Sequence, residues 1–231
     1  MKKISVRFDA GWLACVFLSF GCVFSFGQYL TGSSLTIGPS GQIVANPGYS
    51  AVFGANNLLY GTTVMSIGGS NVMRGYSSLA IGYHNSNGLT YGGGQACLSV
   101  GQFNNNNSLN SVCIGEGNAL AHDEEWGEGA NSLLVGYYNY NTEADSSIIV
   151  GDYCQAHSDN TGTIGRGLIN YWADATIVGR FNGTASDGLL FAVGSGADSN
   201  NRGNVMEVYE DGKVVLPRQG DILMGEFGNP E

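Results

Sequence analysis

A short apolar stretch that ends in glycine recurs along the chain. Its glycines are Gly38, Gly54, Gly68, Gly82, Gly101, Gly115, Gly136, Gly151, Gly165, Gly179 and Gly194. Most lie 14 or 15 residues apart, with longer gaps that place insertions near Gly92–Gln95 and near His122–Glu128. The residue before each glycine is always Ile, Val or Phe: Ile37, Phe53, Ile67, Ile81, Val100, Ile114, Val135, Val150, Ile164, Val178 and Val193. Two positions earlier the column is mostly large and apolar, as in Leu35, Met65, Leu79, Leu98, Leu133, Ile148 and Phe191. The column between them is mixed and often smaller, as in Ser66, Ala80, Ser99, Cys113 and Thr163. Four before the glycine the residue is usually small, as in Ser34, Ser50, Ser78, Ser111, Ser132 and Ser147. These four columns hold 44 residues and no charge, where the chain's 12% charged content would place about five.

β-branched residues fit a pleated surface, and alternate side chains of a strand point to opposite faces. Neither face here carries charge, so both faces of each strand should be buried. The larger residues are expected to pack inside the repeat, and the face with the smaller residues to need a second surface. Three residues after the repeat glycine stands Asn57, Asn71, Asn85, Asn104, Asn118, Asn139 or Asn182. Gly and Asn tolerate left-handed backbone and support side-chain-to-backbone turn bonds. Each unit then reads as a strand, a Gly-to-Asn turn, a second short strand and a looser turn. Fourteen residues suffice for a flat two-stranded coil. The predicted fold is an all-β parallel roll of about eleven coils, with asparagine stacked on asparagine in ladders. Near the C-terminus, Glu207-Val208-Tyr209 and Val214-Val215-Leu216 flank Asp211-Gly212. That pattern predicts a hairpin over Met206–Leu216 that caps the last coil.

Ser78-Leu79-Ala80-Ile81-Gly82, Ser111-Val112-Cys113-Ile114-Gly115 and Ser147-Ile148-Ile149-Val150-Gly151 resemble the S-x-A-I-G repeat of trimeric autotransporter adhesin heads, the YadA-like head. The resemblance covers about Leu35 to Gly194. It implies a left-handed parallel β-roll and a homotrimer whose other subunits supply the missing second surface. Leu190–Gly194 through Asn200–Asn204 to Val208 is also similar to the cap that follows such repeats in long fibre proteins, phage tail fibres included. Adhesins of this family continue into a coiled-coil stalk and a membrane β-barrel. No heptads follow Gly194, and residues 195–231 are too few for a barrel, so no self-encoded membrane anchor is expected.

Composition sharpens the picture at the N-terminus. Lys2, Lys3 and Arg7 precede an apolar stretch from Gly11 to Phe26, and Ser25 and Gly27 suit cleavage before Gln28. Residues 1–27 therefore read as a secretory signal peptide, too short in its apolar run for a transmembrane helix. The expected organisation is signal peptide 1–27, β-roll 28–194 and cap 195–231, with the product exported to the cell surface or beyond. Removing residues 1–27 takes away three basic residues and one acidic one, moving the net charge from −10 to −12. That charge repels nucleic acid and anionic membrane surfaces. Gly makes up 37 of 231 residues without a three-residue period, and Pro only 4, which excludes collagen. Cys97, Cys113 and Cys154 lack metal-ligand spacing and read as buried small hydrophobes.

Candidate chemistry is sparse. No catalytic motif is present, so no catalytic residue, metal or cofactor is expected, and the chain reads as non-enzymatic. Asp198-Ser199-Asn200-Asn201-Arg202-Gly203 faintly resembles a calcium loop, but Arg202 takes a ligand position and a turn is the better reading. The insertion His122-Asp123-Glu124-Glu125-Trp126-Gly127-Glu128 is the candidate ligand-binding loop, with four acids around Trp126. Tyr83, Phe103, Tyr137, Tyr138, Tyr153 and Phe181, with Tyr171 and Trp172, could form an outer aromatic stripe. The expected function is an adhesin-like head module that binds a protein or glycan surface ligand multivalently. A structural fibre or tail-fibre component and a polysaccharide-active enzyme are the alternatives.

Overall fold

The computed structural model describes residues 35–38, 42–43, 49–88, 96–121, 130–142 and 144–217. They form a parallel β-solenoid with no helix. Eleven strands, one for each repeat glycine, stack in sequence from Leu35–Ile37 to Leu189–Ser195 as parallel neighbours of a first sheet. Their register sets glycine against glycine, as in Gly115↔Gly136 and Gly136↔Gly151. Two antiparallel strands, Asn204–Tyr209 and Val214–Val215, complete this sheet at thirteen. They deliver the hairpin expected around Asp211-Gly212. The second sheet has nine parallel strands, from Gln42–Ile43 to Ile169–Asn170.

The roll therefore has about nine two-stranded turns rather than eleven. All eleven repeat strands exist, but Thr176–Arg180 and Leu189–Ser195 have no companion in the second sheet. Asn182 explains the stop. Its Oδ1 accepts from the Ile169 N–H at 2.8 Å, and its Nδ2 donates to the Ile169 carbonyl at 2.8 Å. The side-chain amide satisfies both groups that a tenth strand would have paired.

The faces of the first sheet are reversed from expectation. The column two before the glycine points inward: Val52, Ser66, Ala80, Ser99, Cys113, Leu134, Ile149, Thr163, Ile177 and Ala192 are all fully buried. The large apolar columns lie on the outer face and are only partly covered, with Ile148 at 49% and Ile164 at 48% exposure. The reason is alternation combined with the corner serine. Ser50, Ser78, Ser111, Ser132 and Ser147 are buried, and several bind the next coil. Ser111 Oγ accepts from the Ser132 N–H at 3.0 Å, and Ser132 Oγ from the Ser147 N–H at 3.1 Å. A strand whose corner serine faces in must turn its second residue after that serine inward too.

The repeat glycine is required by close stacking. A Cβ on Gly115 would lie 2.0 Å from the carbonyl oxygen of Gly136, and its φ is +121°. Both features exclude any other residue.

The interior is one side chain thick and holds two apolar clusters. Val52, Leu59, Val64, Met73 and Ala80 form the N-terminal one. A larger one runs from Cys113 through Leu134, Ile149 and Ile177 to Tyr209 of the cap. Between them lies a polar waist of Asn85, Asn87, Ser99, Asn104, Asn106, Ser108 and Ser111, all buried.

Candidate functional site

Six of the seven repeat asparagines form a continuous buried ladder. Asn104 is representative. Its backbone N–H and Nδ2 both donate to Asn85 Oδ1, at 3.2 and 3.0 Å. Its Nδ2 also donates to the carbonyls of Val100 and Gly115. Its own Oδ1 accepts both donors of Asn118. Asn57, Asn71, Asn85, Asn118 and Asn139 repeat this pattern. The ladder ends where Cys154 replaces asparagine: the Cys154 N–H donates to Asn139 Oδ1 at 3.1 Å. The next residue in the column is Leu168, and Asn182 performs the separate task of closing the second sheet. These side chains are spent on stacking and present nothing to a ligand.

The asparagines are not the left-handed residues of the turn. Positive φ falls one position earlier, at Asn56, Ser70, His84, Phe103, Tyr138, Tyr153 and Phe181. Bulky residues in this conformation carry a cost of about 1–3 kcal/mol each. Ring stacking at coil spacing offsets part of it. His84 and Phe103 stack at 5.4 Å, and Tyr138 and Tyr153 at 5.7 Å, with near-parallel planes. Tyr83 and Tyr137 add edge-on contacts. Some rings also shield the backbone of the coil before them: Tyr138 lies over Gly117 and Phe181 over Gly167. The stripe foreseen from sequence therefore exists as two exposed clusters along one corner, Tyr83-His84-Phe103 and Tyr137-Tyr138-Tyr153. Tyr171 stands apart, stacked on His157 at 4.6 Å.

The insertion His122–Glu128, with Trp126, lies outside the described residues, as do residues 1–27. Asp198 closes a turn. Its carboxylate accepts from the N–H groups of Asn200 and Asn201 and from Asn201 Nδ2, which holds it below its usual carboxylate range. Cys97, Cys113 and Cys154 are buried thiols that form no disulfide with one another. Burial pushes the Cys97 thiol up to about 11 and raises those of Cys113 and Cys154 as well. The thiols are held protonated, which makes them poor nucleophiles.

The C-terminal end is locked by its own contacts. Arg202 reaches back to donate to the Gly167 carbonyl at 2.7 Å and lies over the Phe181 ring. The buried Glu207 accepts from Asn204 Nδ2 and from the Tyr209 hydroxyl, both at 2.7 Å.

Two features escaped the reading of the sequence. One is a second buried asparagine column, five after the repeat glycine: Asn87, Asn106, Asn141 and Asn170. The same position holds Leu59, Met73, Leu120 and Ala156, so its mixed chemistry hid it. The other is the outer face of the first sheet, whose two apolar columns run the length of the roll. No family model, curated protein or solved structure matches the sequence.

Proposed function

We propose that the chain is an exported, non-enzymatic surface module that acts as a homotrimer and binds a protein or glycan ligand multivalently. The outer face of the first sheet carries this reading. Parallel sheets are ordinarily covered on both faces, and this one leaves its outer Ile, Val, Leu and Phe columns only partly covered. Identical rods packed by that face would bury it along their whole length. The trimer, the adhesin-like role and the left-handed coil follow the resemblance to YadA-like heads. The corner aromatics and the 122–128 insertion would then be displayed in three copies, and effective concentration would strengthen individually weak contacts. The fibre reading shares the trimer and drops the ligand. The Asn182 and Arg202 closures favour it to the extent that they make a rod with a defined end.

The solution mass of residues 28–231 tests the assembly. A trimer is expected, and Ile148→Lys with Ile164→Lys should give a folded monomer. A wild-type monomer would overturn the trimer. Saturable binding to matrix proteins, glycans or cells, weakened by deleting 122–128 or by Trp126→Ala, would support the adhesin role. A trimer that binds nothing across such panels would leave the fibre reading.

A further inference from the structure

The second sheet ends at Ile169–Asn170 while the first runs on. At the corner beyond that last strand opens a cleft of about 460 Å³, within the size range of small-molecule sites. Two of its walls are aromatic. Tyr171 and Trp172 stand nearly perpendicular, with centroids 6.2 Å apart and planes at 79°. Trp172 is anchored against the apolar core, and Tyr171 is backed by the His157 ring. The remaining charge in the cleft is of one sign: Asp174, Asp187 and Glu210 line it, and no Lys or Arg does. Asp174 accepts from Asn160 Nδ2, whereas among the described residues the Asp187 and Glu210 carboxylates have no cationic partner.

We propose that this cleft binds an alkylammonium cation, up to the size of a trimethylammonium group. Aromatic rings at a cleft offer π-surface to a cation, and this is how quaternary ammonium groups are recognised; here Tyr171 and Trp172 both line it. Unpaired carboxylates at the rim add long-range attraction and favour a charged ligand over a neutral one. The aromatic walls continue from the second sheet, not from the face proposed to pack between copies. The inference therefore stands or falls apart from the oligomeric state.

Choline is the probe, titrated into the full chain by calorimetry or nuclear magnetic resonance. Saturable binding is expected, at least about tenfold tighter than that of the uncharged isostere dimethylbutanol. Tyr171→Ala should weaken choline about tenfold while leaving the melting temperature in place, because Tyr171 is exposed. Asp187→Asn with Glu210→Gln should weaken it further and remove most of its salt dependence. Absence of saturable binding, equal binding of the isostere, preference for a neutral sugar, or an unchanged affinity in Tyr171→Ala would each overturn the proposal.

Discussion

The polar waist and the C-terminal core fill the same thin interior in opposite ways. In the waist, Asn85 and Asn104 interlock through their amides, and Ser99 bonds to Asn87. In the C-terminal part, Leu134, Ile149 and Ile177 occupy the column that Ser99 holds in the waist. The comparison separates two jobs. Apolar filling supplies stability in proportion to area and tolerates shape changes poorly. Amide filling supplies register, because slipping one coil against the next would leave several buried polar groups unpaired at once.

The largest expected effect should be common to both regions. Gly115→Ala would set a methyl group onto the Gly136 carbonyl, so about 4 kcal/mol or more should be lost, read as failure to fold cooperatively in urea. Such a loss would show that stacking distance, not filling, limits the coil.

Leu134→Ala probes the apolar region. It should cost about 2–5 kcal/mol by transfer and cavity terms, read from the urea midpoint.

Within the waist, Asn104→Ala removes its own bonds and orphans Asn118, so about 3 kcal/mol is expected. Asn106→Leu should cost less, about 1 kcal/mol, because Asn106 Oδ1 is buried without a partner and its Nδ2 donates only to the Leu98 and Ser111 carbonyls. Equal costs for Asn104→Ala and Asn106→Leu would break the distinction between a laddered amide and one bonded outside the ladder.

The smallest effect belongs to the boundary. Cys154→Asn extends the ladder by one rung and should stabilise by up to about 1 kcal/mol. The thiols add a pH dependence. Cys97 is raised from 9.0 to about 11, so the folded state holds its proton longer than the unfolded state. Its contribution is complete below pH 9 and is lost as the pH rises towards 11. A thiol reagent at pH 8 should label Cys97, Cys113 and Cys154 only at the rate of unfolding.

Much of the fold was legible because stacking repeats every coil's constraint. The glycine column, the corner serines and the asparagine column each recur at the same offset, and each has one physical cause. The coil count and the orientation of the faces were less legible. Gly179 and Asn182 look like any other repeat unit, yet Asn182 turns its amide onto Ile169 and ends the second sheet. From sequence alone, the absence of charge on both strand faces makes the smaller column of Ser66, Ala80 and Cys113 look like one that needs a second surface. In the roll they suit an interior only one side chain deep. The candidate cleft was least legible. Tyr171 and Trp172 come together with Asp187 and Glu210 only because the second sheet stops there.

The sequence by itself determined that the chain is a stack of short parallel strands, because only that arrangement explains glycine, serine and asparagine at constant spacing. The tertiary structure decided which side of each strand faces in. Alternation makes the two faces equivalent in sequence until a bonded corner residue breaks the tie. Here the serine and asparagine side chains bond between coils and claim the interior. The large apolar columns are left on the outer face, only partly covered.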